Sequence, residues 1–344
     1  MKKSAILEEK LLHSIAAGQY RPGDAIPSRN RLAAKFSCSR TTVEHAVDSL
    51  KRRGFLISNQ GGATRVASLP NGLLSGNPEV VYIIAGGLEI YSEQAIRDMF
   101  LPGLEGQIGI HPLSDEALLQ YMDKLTRPGV ALVWIMPRAE SLWYIRFFQL
   151  RNVPQLLINR DYGEYDNAGT DTLSSLREGL SWLMIEAGRD LAVVSRTPVM
   201  KQPYLAERLN AFYECAVALG ARLRSDWICV RPFLDIPGEM SEAGLMLFSS
   251  ANPPRGIVVL ENSLPLPLVT CGQIYGKKPE RDYFLLTFDY IPELKNYPGV
   301  GMMRQQDEKL FLETKRWIME GYFHRKQPFK SRIKTELILP ESKA

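Results

Sequence analysis

The chain has 344 residues, 45% hydrophobic and 23% charged, proportions that fit two or three soluble globular domains and exclude a disordered chain, a collagen-like fibre or a disulfide-stapled miniprotein. No run of about 18 apolar residues marks a membrane span. The net charge of +4 is unevenly held: residues 1–67 carry twelve Lys/Arg against five acids, and the remainder carries thirty against thirty-three, a basic head on a mildly acidic body, as expected of a nucleic-acid-binding module joined to something else.

Glu8, Glu9, Lys10 and His13 interrupt the basic start at Met1-Lys2-Lys3, so no signal peptide is expected there and the cytoplasm is the predicted location. The four cysteines, Cys38, Cys215, Cys229 and Cys271, lack CxxC spacing, which points to neither a zinc site nor a disulfide framework.

Along the chain, Leu7, Leu11 and Ile15 recur at helical spacing, predicting a helix over 4–17 that ends at Gly18. Arg21-Pro22-Gly23-Asp24 is turn chemistry. Ser28 can cap a short helix facing inward through Leu32, Ala33 and Phe36, and Ser39 can cap a third whose apolar stripe is Val43, Ala46, Val47 and Leu50. Gly54 stops it; Phe55-Leu56-Ile57, Gly61-Gly62 and Thr64-Arg65-Val66 then read as a β-hairpin. Three helices and a hairpin make a winged helix-turn-helix, in which the third helix enters the major groove with its first residues, here Arg40, Thr41 and Thr42, nearest the bases. The arginine fork suits guanine or phosphate, and the hydroxyls suit either. An ordinary solvated helix start is the competing reading of those three residues.

Residues 68–79 are rich in Pro, Gly, Asn and Ser and read as a linker. Beyond it, buried strands are predicted at Val80–Ala85, Val130–Met136, Gln155–Asn159, Leu191–Ser195, Gly256–Leu260, Tyr283–Phe288 and Glu336–Leu339. Helices lie between them, for example Asp115–Leu125, Thr172–Ala187, Tyr204–Leu219 and Asp307–Phe323. This alternation predicts parallel sheets covered on both faces, long enough for two lobes. Ligand sites in such sheets gather at the carboxyl ends of strands. Arg138, Asn159-Arg160-Asp161, Arg196, Glu261-Asn262 and Asp289 arrive there, with Tyr91, Trp143, Tyr204 and Phe233 near in sequence. Hydrogen-bonding forks beside aromatic faces suit a sugar-like polyol; helix caps are the alternative, for Asn262 and Asp289 especially.

The segments Gly18–Ser28, Leu32-Ala33, Ser39-Arg40-Thr41-Thr42-Val43, Leu50, Gly54 and Gly61–Thr64 resemble the GntR-type winged-helix domain over residues 4–67. The resemblance implies double-stranded DNA as partner, contacted by Arg40, Thr41 and Thr42 from the recognition helix and by Gln60, Gly61 and Gly62 at the wing tip; Arg29, Arg31, Ser39, Glu44, His45 and Thr64 complete the expected contact set. Arg29-Asn30-Arg31 stands where the family usually begins with a glutamate-led entry, and Glu44 where many members carry arginine, so the operator sequence does not carry over.

Asn159-Arg160-Asp161, Thr170-Asp171, Gly188-Arg189, Glu207–Phe212 around Arg208, Glu261-Asn262 and Phe288-Asp289-Tyr290 resemble the LacI-type effector domain, itself similar to periplasmic sugar-binding proteins, over roughly residues 80–340. By that resemblance, Arg208 and Asp289 hold ligand hydroxyls or a carboxylate, with Asn159 or Asp161 and Glu261 or Asn262 nearby and Gln305 or Gln306 near a lobe crossover. Glu261-Asn262 departs from the family's usual Asn-Asp, and the segment Gly86–Gly106 is compact. The implied architecture is that of arabinose-repressor-like regulators: a winged helix-turn-helix (1–67), a linker (68–79) and an α/β two-lobed, periplasmic-binding-protein-like domain (80–344). Lobe 1 is expected at about 80–170 and 305–328, and lobe 2 at about 171–304 and 329–340.

GxSxG, HExxH, P-loop and dinucleotide fingerprints are absent, and His13, His45, His111 and His324 are scattered. The expectation is a homodimeric DNA-binding regulator, a repressor controlled by a small sugar-like effector, with no catalysis, cofactor, metal or membrane partner. The alternatives are a ligand-independent regulator, or a sugar-binding protein or enzyme fused to a DNA-binding head.

Overall fold

A computed structural model of the chain describes residues 3–16, 19–20, 23–52, 55–58, 62–67, 78–85, 93–100, 108–200, 202–321 and 327–340. The expected helix stops Gly18 and Gly54, the wing residues Gln60 and Gly61, and residues 68–77 of the expected linker lie outside them.

The head comprises α1 (Lys3–Ala16), α2 (Arg29–Lys35), α3 (Arg40–Arg52), β1 (Leu56–Ile57) and β2 (Arg65–Val66). Ser28 accepts from the Arg31 N–H and Ser39 from the Thr42 N–H, so both helices start where an oxygen meets an otherwise unpaired donor. Ser37 turns the chain between them with φ 49°. Leu7, Leu11, Ile15, Leu32, Val43, Ala46, Val47 and Leu50 are buried, the apolar spacing of the sequence turned into one core. The strands pair antiparallel, Leu56 opposite Val66. The segment before α2 joins the wing, Ile26 N–H donating to Thr64 and Val66 N–H to Asp24, so the wing rests on the turn at Gly23 (φ 89°).

The body follows as β3 (Val80–Ala85), α4 (Glu93–Phe100), β4 (Gly109–Ser114), α5 (Leu118–Leu125), β5 (Val130–Ile135), α6 (Leu142–Leu150), β6 (Gln155–Ile158) and β7 (Asp166–Thr170). Then come α7 (Thr172–Ala187), β8 (Leu191–Arg196), α8 (Pro203–Ala218), β9 (Ile228–Arg231), α9 (Ile236–Phe248), β10 (Gly256–Val259), α10 (Pro265–Ile274) and β11 (Phe284–Phe288). The chain closes with β12 (Val300–Arg304), α11 (Asp307–Met319), β13 (Lys330–Ile333) and β14 (Glu336–Ile338).

Two six-stranded sheets result, ordered β4-β3-β5-β6-β7-β13 and β9-β8-β10-β11-β12-β14. The pairings from β4 to β7 and from β9 to β12 are parallel; β14 runs antiparallel to β12. In each sheet the order reverses once, between β3 and β5 and between β8 and β10, and such reversals open the crevice where parallel sheets bind ligands. Five strands escape the apolar-run criterion. Asp166–Thr170 and Lys330–Ile333 are polar, Gly109–Ser114 contains Pro112, Ile228–Arg231 is short, and Val300–Arg304 follows directly on a turn.

The chain divides into two compact units, residues 1–168 with 311–330, and residues 169–310 with 331–344. The head belongs to the first. Its buried residues are continuous with those of the first sheet's helices, including Ile145, Phe147 and Phe148 of α6. Gln155 fixes α6 from beneath: it accepts from Trp134 Nε1 at 3.0 Å and donates to the Ile145 carbonyl at 2.9 Å, both buried. Gln155→Leu orphans the indole N–H and should cost about 2 kcal/mol. In calorimetry that is a melting point lower by about 4–8 °C; an unchanged value would mean that water replaces the amide.

Candidate functional site

In the head, Arg31, Ser39, Arg40, Thr41, His45 and Gly62 are exposed, and Thr42 and Glu44 half-buried. The α3 N-terminus therefore presents Arg40 and Thr41 outward together with its free N–H groups. Arg40 Nε donates to Glu44 Oε1 at 3.2 Å, one turn along, with both side chains largely solvated. The exposed pair is weak and salt-screened, so either partner is available to a nucleic acid. Thr42 shares its hydroxyl with Ser39 at 2.8 Å. Thr64, grouped with the DNA-facing residues on sequence, is 3% exposed and accepts from Arg29 Nη1 at 2.6 Å. It braces the wing from inside, and half-buried Arg29 ties the first residue of α2 to it.

In the second unit, the carboxyl ends of β8, β10, β11 and β12 bring a connected polar set together. Arg208 on α8, 7% exposed, donates from Nη1 to Asp289 Oδ2 and to the Leu260 carbonyl, both at 2.8 Å, and from Nη2 to Asp289 Oδ1 at 3.2 Å. Its guanidinium stacks 3.9 Å from the Phe288 ring centroid and 5.0 Å from that of Tyr204. Gln305 donates to Asp289 and is bonded to Thr170 at 3.0 Å. Across the β8/β10 reversal, Arg196 Nε lies 3.5 Å from Glu261 Oε2, which also accepts from the Ser263 N–H at 3.0 Å. Glu261 thus does the local bracing expected of its neighbour Asn262, which is exposed. Burial, then the charge of Asp289, pushes the Asp307 carboxyl above its ordinary value.

In the first unit, Arg138 follows β5 and donates from Nη2 to Asp115 Oδ2 at 2.7 Å. The other Asp115 oxygen is buried with no hydrogen-bond partner among the described residues. Asp161 accepts from Lys330 Nζ at 2.8 Å and from the Gly163 N–H at 2.9 Å, bracing its own loop. Asn159 follows β6 with φ 54°.

Met136 (φ 44°), Asn159, Phe233 (φ 48°) and Asp289 (φ 90°) all follow the carboxyl end of a strand in the left-handed region. Such strain collects at ligand sites, and a sequence does not display it. Sequence reasoning also missed Asp115, Thr170 and Ser263 as partners of its candidates; only proximity in the fold reveals them. No group of three or more His, Cys, Asp or Glu able to hold a metal occurs among the described residues, and none of their helices is long and apolar enough to cross a membrane. Cys215, Cys229 and Cys271 are buried free thiols; burial pushes Cys229 up to about 11.

Residues 3–66 match the family model of bacterial regulatory proteins, gntR family. Over 73 residues the chain is 38% identical to a "Probable fructoselysine utilization operon transcriptional repressor" of Escherichia coli (strain K12), a match covering 21% of this chain and 30% of that protein. It is 36% identical over 61 residues to an arabinose metabolism transcriptional repressor of Geobacillus stearothermophilus, 18% and 17% of the two lengths. The chain thus spans under a third of these relatives' lengths. Among solved structures, a regulatory protein of LacI family from Chloroflexus aggregans superposes with a TM-score of 0.63 at 14% identity, covering 77% of this chain and 98% of that one. A transcriptional regulator CelR–cellobiose complex gives 0.60 at 14% identity, covering 92% and 100%. Residues 3–66 therefore carry a gntR-family helix-turn-helix, and the two-sheet α/β body that follows has the fold of LacI-type regulators.

Proposed function

We propose that the protein is a sequence-specific DNA-binding transcriptional regulator, a repressor, whose operator affinity is set by a small sugar-like effector held at the carboxyl ends of the body's strands. The observation that carries the reading is the union, in one chain, of an outward-facing Arg40–Thr41 helix start with the Arg208–Asp289–Gln305 network. Arg208 and Asp289 leave donors and acceptors for hydroxyls, and the rings of Phe288 and Tyr204 offer apolar faces for sugar C–H groups. Arg208 and Arg196 already face carboxylates, which favours an uncharged polyol over a phosphate or acid. The cellobiose-bound structural neighbour is in keeping with this choice.

Docking two heads on a pseudo-palindromic site would require a homodimer, and acting on a bacterial operator would put the protein in the cytoplasm. Arg208, Asp289 and Gln305 are assigned a binding role and no catalytic one. The effector acts by binding one conformation of the body more tightly than another.

Two measurements test the proposal. A thermal-shift screen against neutral pentoses, hexoses and disaccharides, with uronates and sugar phosphates as comparison, should select a neutral compound. Affinity for a duplex selected from a random pool should fall steeply with salt, the logarithmic slope being about −0.9 per phosphate neutralised. A flat salt dependence would remove the DNA-reading role, and a series of silent sugars would remove the effector.

A further inference from the structure

Among the described residues, Arg151 is the best-buried guanidinium that the proposed site does not use. It caps the carboxyl end of α6, is 9% exposed, and has its Nη2 buried with no hydrogen-bond partner among the described residues. Its guanidinium carbon lies 4.5 Å from the ring centroid of Phe55, in the head, and 5.2 Å from that of Phe147, on α6. The two rings are themselves 5.4 Å apart. The entry to the head's wing thus meets α6 around a cation with no carboxylate partner among the described residues, the head's first helix packs on α6 as well, and burial pushes Arg151 down to about 10.

Such a contact holds and lets go for identifiable reasons. Aromatic faces attract the cation, and the end of a helix favours a positive charge. Desolvation works against both, because an unpaired buried charge regains its hydration as soon as the surfaces part. The contact is therefore geometrically demanding and only marginally favoured.

The place of α6 gives this a use. The helix is about 13 Å long. Its amino end follows Arg138 through the turn Ala139–Ser141, at the strand reversal of the first sheet. Its carboxyl end is Arg151, and Gln155 locks it to the sheet in between. The helix thus runs from the strand-reversal end of the first sheet to the Phe55 edge of the head.

We propose that Arg151 is a positioning residue: it seats the head on α6 in a releasable way, so that a shift of α6 at Arg138 moves or frees the head without passing through the 68–79 segment. The link from effector to head rests on the regulator reading above; the seating itself does not. Docking leaves the α3 surface exposed, so the seat governs where the head stands and leaves its capacity to meet DNA intact.

The test uses the full chain, Arg151→Met and Arg151→Ala. Methionine keeps the length and apolar contact but removes the buried charge; alanine removes the contact as well. In hydrogen exchange, amides of Leu7–Ile15 and Leu56–Ile57 should exchange about tenfold more slowly in R151M and about tenfold faster in R151A. Affinity for a short random-sequence duplex should be unchanged in both. Equal exchange in all three proteins, or shifts in the same direction for both variants, would overturn the seating. Loss of random-duplex binding in both would overturn it too, by showing that Arg151 merely supports the head's own fold. A wild type that binds no duplex at all would defeat the regulator reading, while the exchange rates would still decide the seating.

Discussion

Arg208→Ala should lower the melting temperature of the second unit by about 10 °C and abolish any sugar-induced thermal shift. The first effect follows from electrostatics: removing one partner of a buried ion pair strands the other and typically costs about 3–5 kcal/mol, with about 2–4 °C per kcal/mol for a unit of this size. Asp289 would lose both charge-assisted bonds from Arg208, keeping Gln305 as its donor among the described residues. The Leu260 carbonyl would lose its guanidinium donor. The control is Arg208→Met with Asp289→Asn, which removes both charges and keeps a residue that tolerates φ 90° at position 289. It should lose less stability than the single variant and still bind no sugar. A single variant of wild-type stability would mean that water substitutes for the guanidinium. One that still binds sugar would place the effector elsewhere.

Arg40→Ala should weaken binding to the selected duplex by about 5- to 150-fold, the equivalent of about 1–3 kcal/mol for a bidentate base contact. Its effect on a random duplex should be smaller, since a random sequence engages the side chain through phosphate alone. Glu44→Ala is the informative companion, because Glu44 receives Arg40 Nε in the free protein. Freed of that partner, Arg40 should bind random DNA slightly better and discriminate less. Equal losses on both duplexes for Arg40→Ala would make it a backbone contact and move base reading to Thr41 or His45.

The head was legible because its signals are local. A stripe of period 3.6 from Val43 to Leu50 and two serine caps specify helices without reference to anything distant. The central strands were legible as aliphatic runs. Asp166–Thr170 was not: it is held by long-range partners, Trp317 Nε1 and the Phe329 N–H both donating to Asp166, and no local pattern encodes residues so far apart. The same holds at the candidate site. Arg208 and Asp289 stood out by resemblance, whereas the pairing of Arg138 with Asp115 and of Thr170 with Gln305 joins residues far apart in sequence that only the folded chain brings together. Thr64 shows the converse. Its position in the wing suggested a DNA contact, and burial against Arg29 gives it a bracing task that a threonine in sequence does not announce.

If one molecule couples sugar binding to DNA reading, the sugar must change the affinity for the operator. The decisive measurement is fluorescence anisotropy of the selected duplex, titrated with protein in the absence and in the saturating presence of the sugar giving the largest thermal shift. A shift in apparent Kd of about 5- to 150-fold is predicted, from a coupling of about 1–3 kcal/mol. Identical curves, with a sugar that demonstrably stabilises the protein, would show that the two halves of the chain bind without informing each other.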